Sequence, residues 1–150
     1  MNKLEYVLSD DRCEPFVGSE DAAGLDLRIF IGPKPRVEAI ELHPGDTIVI
    51  GTGVKFKIPK LWVGLVTPRS STGKLRIMLE NTIGVIDSDY TGEVKLRVHN
   101  YGTETQLLYN FDRICQMVIV PHFPPMLRER VESLEETKRG ENGFGHSGRN

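Results

Sequence analysis

Four stretches of the chain, and its tail, carry side chains whose types and spacing suit chemistry. In Asn81-Thr82-Ile83-Gly84-Val85-Ile86-Asp87-Ser88-Asp89-Tyr90-Thr91-Gly92-Glu93, Asp87 closes an apolar strand, where a carboxylate can orient and deprotonate a water. Tyr90 offers a flat wall for a sugar. Asp87-x-Asp89-x-Thr91-Gly92 begins like a calcium loop, but the twelfth position is Val98, where a bidentate Glu is required, so an EF-hand is excluded. The plain alternative is a turn with Asp at its corners.

Pro68-Arg69-Ser70-Ser71-Thr72-Gly73-Lys74 follows an apolar run and opens a short helix expected over 70–76. Hydroxyls and a guanidinium at a helix start suit an anion; Ser70 or Ser71 acting only as a cap is the competing explanation. In Asp112-Arg113-Ile114-Cys115-Gln116-Met117, Arg113 and Gln116 are polar among apolar neighbours, and Asp112 with Arg113 reads as an edge ion pair. Ala23-Gly24-Leu25-Asp26-Leu27-Arg28 sets a carboxylate on the polar face of an alternating strand.

The tail, Arg139-Gly140-Glu141-Asn142-Gly143-Phe144-Gly145-His146-Ser147-Gly148, matches two nucleotide patterns only by accident. As a P-loop it has His146 in place of the phosphate-binding Lys, and as G-x-G-x-x-G it lacks the flanking strand and helix. Its physics still suits a nucleotide. Successive Gly N–H groups can cup an anion, Arg139 supplies a planar fork, and Phe144 a face on which a base can stack. On composition alone the tail is mobile.

These segments need a scaffold that is mostly strand and turn. Gly and Pro make up 24 of 150 residues, about 16% against the usual ~12%, which favours turn-rich β structure over a helical bundle. Strands are expected over 25–31, 47–58, 61–67, 93–99, 105–109 and 113–121, with Gly51 and Gly53 as bends or bulges. Turn chemistry separates them, as in His43-Pro44-Gly45-Asp46. Many short strands at this spacing indicate an all-β sandwich or barrel. After Pro124-Pro125 the composition shifts to Glu, Arg and Lys, so residues 127–139 read as a short helix or an exposed linker. The division expected is a β core over 1–125 and a C-terminal arm over 126–150.

A net charge of −2 excludes a general basic footprint for duplex nucleic acid. No run approaches the ~18 apolar residues of a membrane span, and the N-terminus has no apolar run of signal-peptide length. Cys13 and Cys115 read as two reduced, partly buried thiols. The expectation is a cytoplasmic protein with no nucleic-acid or membrane partner.

Each segment is weak alone, but all five occur in a fixed order in a β chain, and together the sequence resembles the homotrimeric dUTPase family over residues 20–148. The resemblance implies a distorted jelly-roll (β-clip) fold with one short helix and a flexible arm. It implies a homotrimer with shared active sites that hydrolyses dUTP to dUMP and pyrophosphate, with Mg²⁺ on the triphosphate; this keeps uracil out of DNA and supplies dUMP for thymidylate synthesis. Asp87 matches the family carboxylate that activates water for attack on the α-phosphorus. Asp26 matches a residue reaching the metal through water. Arg69, Ser70, Ser71 and Gln116 match phosphate contacts. Asn81, with the hairpin backbone beyond Tyr90, matches the uracil reader, and Tyr90 packs under the deoxyribose. Phe144 stacks on uracil, while Arg139 and Ser147 hold the phosphates with the Gly145-His146 backbone between. Three positions depart from the common pattern: Asn142 stands for a Gly, His146 for a Ser, and Phe111 for the Gly that often precedes Asp112-Arg113.

Two rivals are weighed against this reading. A dCTP deaminase of similar fold needs a catalytic Glu where this chain has Arg97, and favours Trp where it has Tyr90. A trimeric β module used for regulatory binding would make Asp87, Tyr90 and Phe144 incidental.

Overall fold

The structure is a computed structural model and describes residues 3–34 and 38–141. It is built almost wholly of antiparallel strands: β1 (Glu5–Leu8), β2 (Phe16–Val17), β3 (Gly24–Arg28), β4 (Ala39–Leu42), β5 (Thr47–Lys57), β6 (Trp62–Pro68), β7 (Ile77–Leu79), β8 (Gly84–Ile86), β9 (Glu93–Asn100), β10 (Gln106–Tyr109) and β11 (Arg113–Pro121). One sheet has the order β1-β5-β9-β7, a second β2-β3-β11-β6-β8, and β10 pairs with β4 in a two-stranded ribbon. The result is a distorted jelly roll, as expected.

Period-two patterning decides which face each strand buries. In β9, Val94, Leu96, Val98 and Asn100 are buried, whereas Lys95 and Arg97 point to water. The three apolar ones meet Leu27, Val54, Phe56, Val66 and Met117 of other strands, and Ile29 just past β3, in one core. Asn100 is tolerated there because its side chain is satisfied: Nδ2 donates to the Leu42 and Glu104 carbonyls at 2.8 Å each, and Oδ1 accepts from Gly102 N at 2.9 Å. The β5–β9 register slips between Gly51 and Lys55, the bulge anticipated at Gly51 and Gly53.

The expected helix over 70–76 is instead a single 3-10 turn, Thr72–Leu75, which ends at Arg76 in the left-handed region (φ 52°). Residues 128–139 form an exposed linker rather than a helix, preceded by a 3-10 turn at Pro125–Leu127. The apolar strand expected before Asp87 is β8, whereas β1, β2, β4 and β7 were not anticipated. They are two to four residues long; all but β4, whose partner β10 is equally short, lie against the ladder of a longer strand.

Phe111 holds the φ of +72° that suits the glycine it replaces. Its N–H donates to the Ile29 carbonyl at 2.9 Å, and the Arg12 guanidinium lies 4.5 Å from its ring centre. Those contacts offset the cost of left-handed backbone.

Candidate functional site

The first cluster lies on the second sheet. Register places Phe16 of β2 beside Asp26 of β3, Asp26 beside Gln116 of β11, and Gln116 beside Thr67 of β6. Directly paired residues share a face, so these side chains form a row across four strands. Arg69 follows β6 at once and closes over the row: its Nε is 2.9 Å from Asp26 Oδ2, and its Nη1 donates to the Arg113 carbonyl at 2.9 Å. Arg113 Nη1 reaches the same Oδ2 at 3.3 Å. Gln116 Nε2 donates to the Pro68 carbonyl at 3.3 Å.

Gly24 makes the approach possible, since a Cβ there would stand 2.5 Å from Gln116 Oε1. The turn bearing Ser70 and Ser71 is pinned to β11 by Thr72 Oγ1, which is buried and donates to the Ile114 carbonyl at 2.6 Å. The open cleft so formed holds about 590 Å³ and is lined by Asp26, Arg69, Ser70, Arg113 and Gln116, with Phe16 and small apolar residues. Two guanidiniums against one carboxylate leave it net positive, which suits a polyphosphate. Behind it, burial pushes the Cys115 thiol up to about 12, with the Asp26 carboxylate adding to the shift. Cys115 is therefore a neutral packing group and not a nucleophile.

The second cluster is the segment from Asn81 to Glu93. Strand β8 pairs with β6 in the register Val66–Gly84 and Gly64–Ile86, so Asp87 emerges exposed just past that pairing. Tyr90 N donates to the Asp87 carbonyl at 3.1 Å and forms a turn, and Tyr90 Oη donates to the Glu93 carbonyl at 2.8 Å. The ring folds over Gly92, where a Cβ would lie 2.6 Å from Tyr90 Oη. Tyr90 keeps 44% of its surface exposed. Asn81 is exposed at the other end of β8, beside Gly84.

The structure therefore brings together Asp26, Arg69, Ser70 and Gln116, with Ser71 Oγ at the edge, 3.5 Å from Arg69 Nη1. Asp87 and Tyr90 stand apart. Gly64, which faces Ile86, is five positions from Arg69, or about 16 Å along the strand. Arg139 lies in the exposed arm beside a turn in which Gly140 N donates to the Thr137 carbonyl at 3.0 Å. Asn142, Phe144, Gly145, His146 and Ser147 lie outside the described residues.

The edge pair expected between Asp112 and Arg113 is replaced by two other contacts. Asp112 Oδ2 caps its own turn by accepting from Tyr109 N at 2.9 Å, while Arg113 turns to Asp26, 87 residues away. Neither that pairing nor the place of Phe16 has a signal in the local sequence.

A family model described as dUTPase matches residues 14–148. The chain belongs to the dUTPase family. It is 52% identical over 145 residues to the deoxyuridine 5'-triphosphate nucleotidohydrolase of Escherichia phage T5, covering 97% of this chain and 98% of that one. It is 40% identical over 154 residues to the protein of that name from Alcanivorax borkumensis, covering 98% and 99%. Among solved dUTPases, that of Staphylococcus bacteriophage 80alpha with dUPNHPP superposes with a TM-score of 0.78 at 28% identity, over 99% of both chains. The phage phi11 enzyme of S. aureus, described with a structural Mg(II) ion, shares the dUTPase fold at 24% identity, with a TM-score of 0.76 over 90% of this chain and 100% of that one.

Proposed function

We propose that the chain hydrolyses dUTP to dUMP and pyrophosphate, as a homotrimer whose sites are shared between copies. The observation that carries this is the pairing of family with geometry: the dUTPase match runs over residues 14–148, yet Asp26 with Arg69 and Asp87 with Tyr90 fall into two clusters at opposite ends of β6. A second copy can set its Asp87–Tyr90 hairpin over the cleft of the first, and a third can supply the arm, residues 126–150.

In the assembled site Arg69, Ser70, Ser71 and Gln116 hold phosphate oxygens through charge-assisted and neutral hydrogen bonds. Asp87 takes a proton from the water that attacks the α-phosphorus, the bond to the bridging oxygen breaks, and pyrophosphate leaves. Chemistry of this kind asks mainly for positioning and charge neutralisation, so one reactive carboxylate suffices. Tyr90, stiffened by its bond to the Glu93 carbonyl, forms the wall under the deoxyribose, and Asn81 reads uracil. Phe144 stacks on the base as Arg139, Gly145, His146 and Ser147 close over the phosphates and exclude water.

Mg²⁺ fits this donor set. Among the described residues no group of three or more His, Cys, Asp or Glu gathers into a cage. Asp26 is one hard carboxylate facing the space for the phosphates, which suits an ion that keeps several waters and sits mainly on the substrate. When bound, it neutralises charge on the triphosphate. Free, buried Cys13 and Cys115 suit a reducing cytoplasm, and among the described residues no helix is long and apolar enough to cross a membrane.

The test is pyrophosphate release from dUTP, dCTP, dTTP and UTP with Mg²⁺. Turnover of dUTP alone is expected; deamination of dCTP, or no dUTP turnover, overturns the reading. Arg97, at the place where a deaminase needs Glu, is engaged in an ion pair with Glu80 on the outer face of β9.

A further inference from the structure

Among the described residues Asp26 is the sole carboxylate lining the cleft, and both guanidiniums close on the same oxygen, Oδ2. They are held differently. Arg69 rides on the turn after β6 beside Ser70, where an arriving phosphate competes for it. Arg113 is clamped from the other side, its guanidinium 4.1 Å from the centre of the Phe16 ring. Phe16 is the register partner of Asp26 itself, so ring, guanidinium and carboxylate form one stack anchored on adjacent strands. An ion pair open to solvent does little to fix a carboxylate, whereas a guanidinium laid on an aromatic face has lost much of its freedom already. Phe16 is also large, apolar and 42% exposed at the mouth of a polar cleft, a place that packing alone does not favour.

We propose that Phe16 is a positioning residue which, through Arg113, keeps Asp26 Oδ2 engaged when Arg69 turns to the phosphates, leaving Oδ1 to accept from the hydrated Mg²⁺ that the phosphates carry. This rests on the dUTPase reading above. Without the ring, Arg113 follows Arg69 toward the phosphates, and Asp26 loses its fixed orientation. Substrate phosphates then bind about as well as before, while the contribution of Mg²⁺ weakens.

The experiment is calorimetric titration of the full-length protein with the non-hydrolysable analogue dUPNHPP, in EDTA and over a range of Mg²⁺ concentrations. Phe16→Leu should raise the Mg²⁺ concentration for half-maximal tightening about three- to fivefold, the scale of one exposed cation–π contact. Binding in EDTA should change less than about twofold, and Phe16→Tyr should restore the wild-type requirement. Arg113→Lys should shift the Mg²⁺ requirement in the same direction, and the double variant should add nothing further, since both act through one stack. If Phe16→Leu lowers the thermal midpoint, Phe16→Met, whose unbranched side chain adapts to irregular space without an aromatic face, repeats the test. A wild-type Mg²⁺ requirement in the Leu or Met variant, equal loss with and without Mg²⁺, or failure of Tyr to restore overturns the proposal. If the wild type hydrolyses dUTP and binds the analogue while one of these holds, this inference alone falls. If the wild type does neither, the dUTPase reading falls with it.

Discussion

The cleft around Asp26 and the hairpin around Asp87 are built on opposite plans. The cleft sits on interior strands of a five-stranded sheet. Asp26 keeps 13% of its side-chain surface exposed, Arg69 28% and Arg113 30%, and these three are already paired with one another. The hairpin hangs from an edge strand of three residues, and its carboxylate and aromatic ring are exposed. On the proposed reading, phosphate recognition is prepared by the fold, whereas Asp87 would act only once a second copy brings the cleft to it. Groups that must meet a highly charged ligand gain from being fixed in advance, because the orientation cost is met on folding.

The largest expected effect tests the hairpin. Asp87→Asn should lower kcat by about a thousandfold or more while dUPNHPP affinity stays within about twofold, because the amide keeps the shape but cannot take the proton. Unchanged turnover would remove Asp87 from its role. Next comes the arm: a chain ending at Lys138 should remain a folded trimer by sedimentation yet lose about a hundredfold in kcat/KM, since closure is lost and the core is not. Full activity in that truncation would end the lid idea.

A smaller effect separates the two regions directly. Gly24→Ala drives a methyl against Gln116 inside a sheet, so it should cost about 1–3 kcal/mol in denaturant unfolding as well as activity. Gly92→Ala displaces the Tyr90 ring on an exposed hairpin, and should cut kcat/KM about tenfold with under about 0.5 kcal/mol of stability lost. Equal stability losses at the two sites would break the contrast between a prebuilt cleft and an open hairpin.

The smallest effect is on pH. Burial lifts the Cys13 thiol to about 11 and the Cys115 thiol to about 12 from an ordinary 9.0. The unfolded chain therefore releases these protons first. Their contribution to stability is complete below pH 9 and falls as pH rises through the window from 9 to 12. Urea midpoints should decline over that range, and Cys115→Ala should flatten the slope while lowering the midpoint at pH 7.

Much of the scaffold is legible in the chain because strands longer than six residues carry their own period. β9 alternates without a break, and β5 announces its bulge with Gly51 and Gly53. Most of the short strands are not legible, since a three-residue segment such as Ile77–Leu79 has too few side chains to show a period and is a strand because β9 lies beside it. The helix expected after Pro68 fails for a related reason: four residues close one turn, which is better satisfied by 3-10 bonds and by Thr72 reaching across to the Ile114 carbonyl.

The same division holds for the site. Residue types at fixed local spacing determined which groups can hold phosphate, face a sugar or take a proton, because such chemistry depends on the side chain itself: Asp87 and Tyr90 three apart, Arg69 before two serines, Gln116 within an apolar strand. Tertiary structure alone decided which of them meet. Register put Asp26 beside Phe16 and Gln116, turned Arg113 away from its neighbour Asp112, and left Asp87 at the far end of β6. Partnerships across 87 residues come from how strands pair, and pairing is fixed by the burial of whole faces rather than by any one residue in the site.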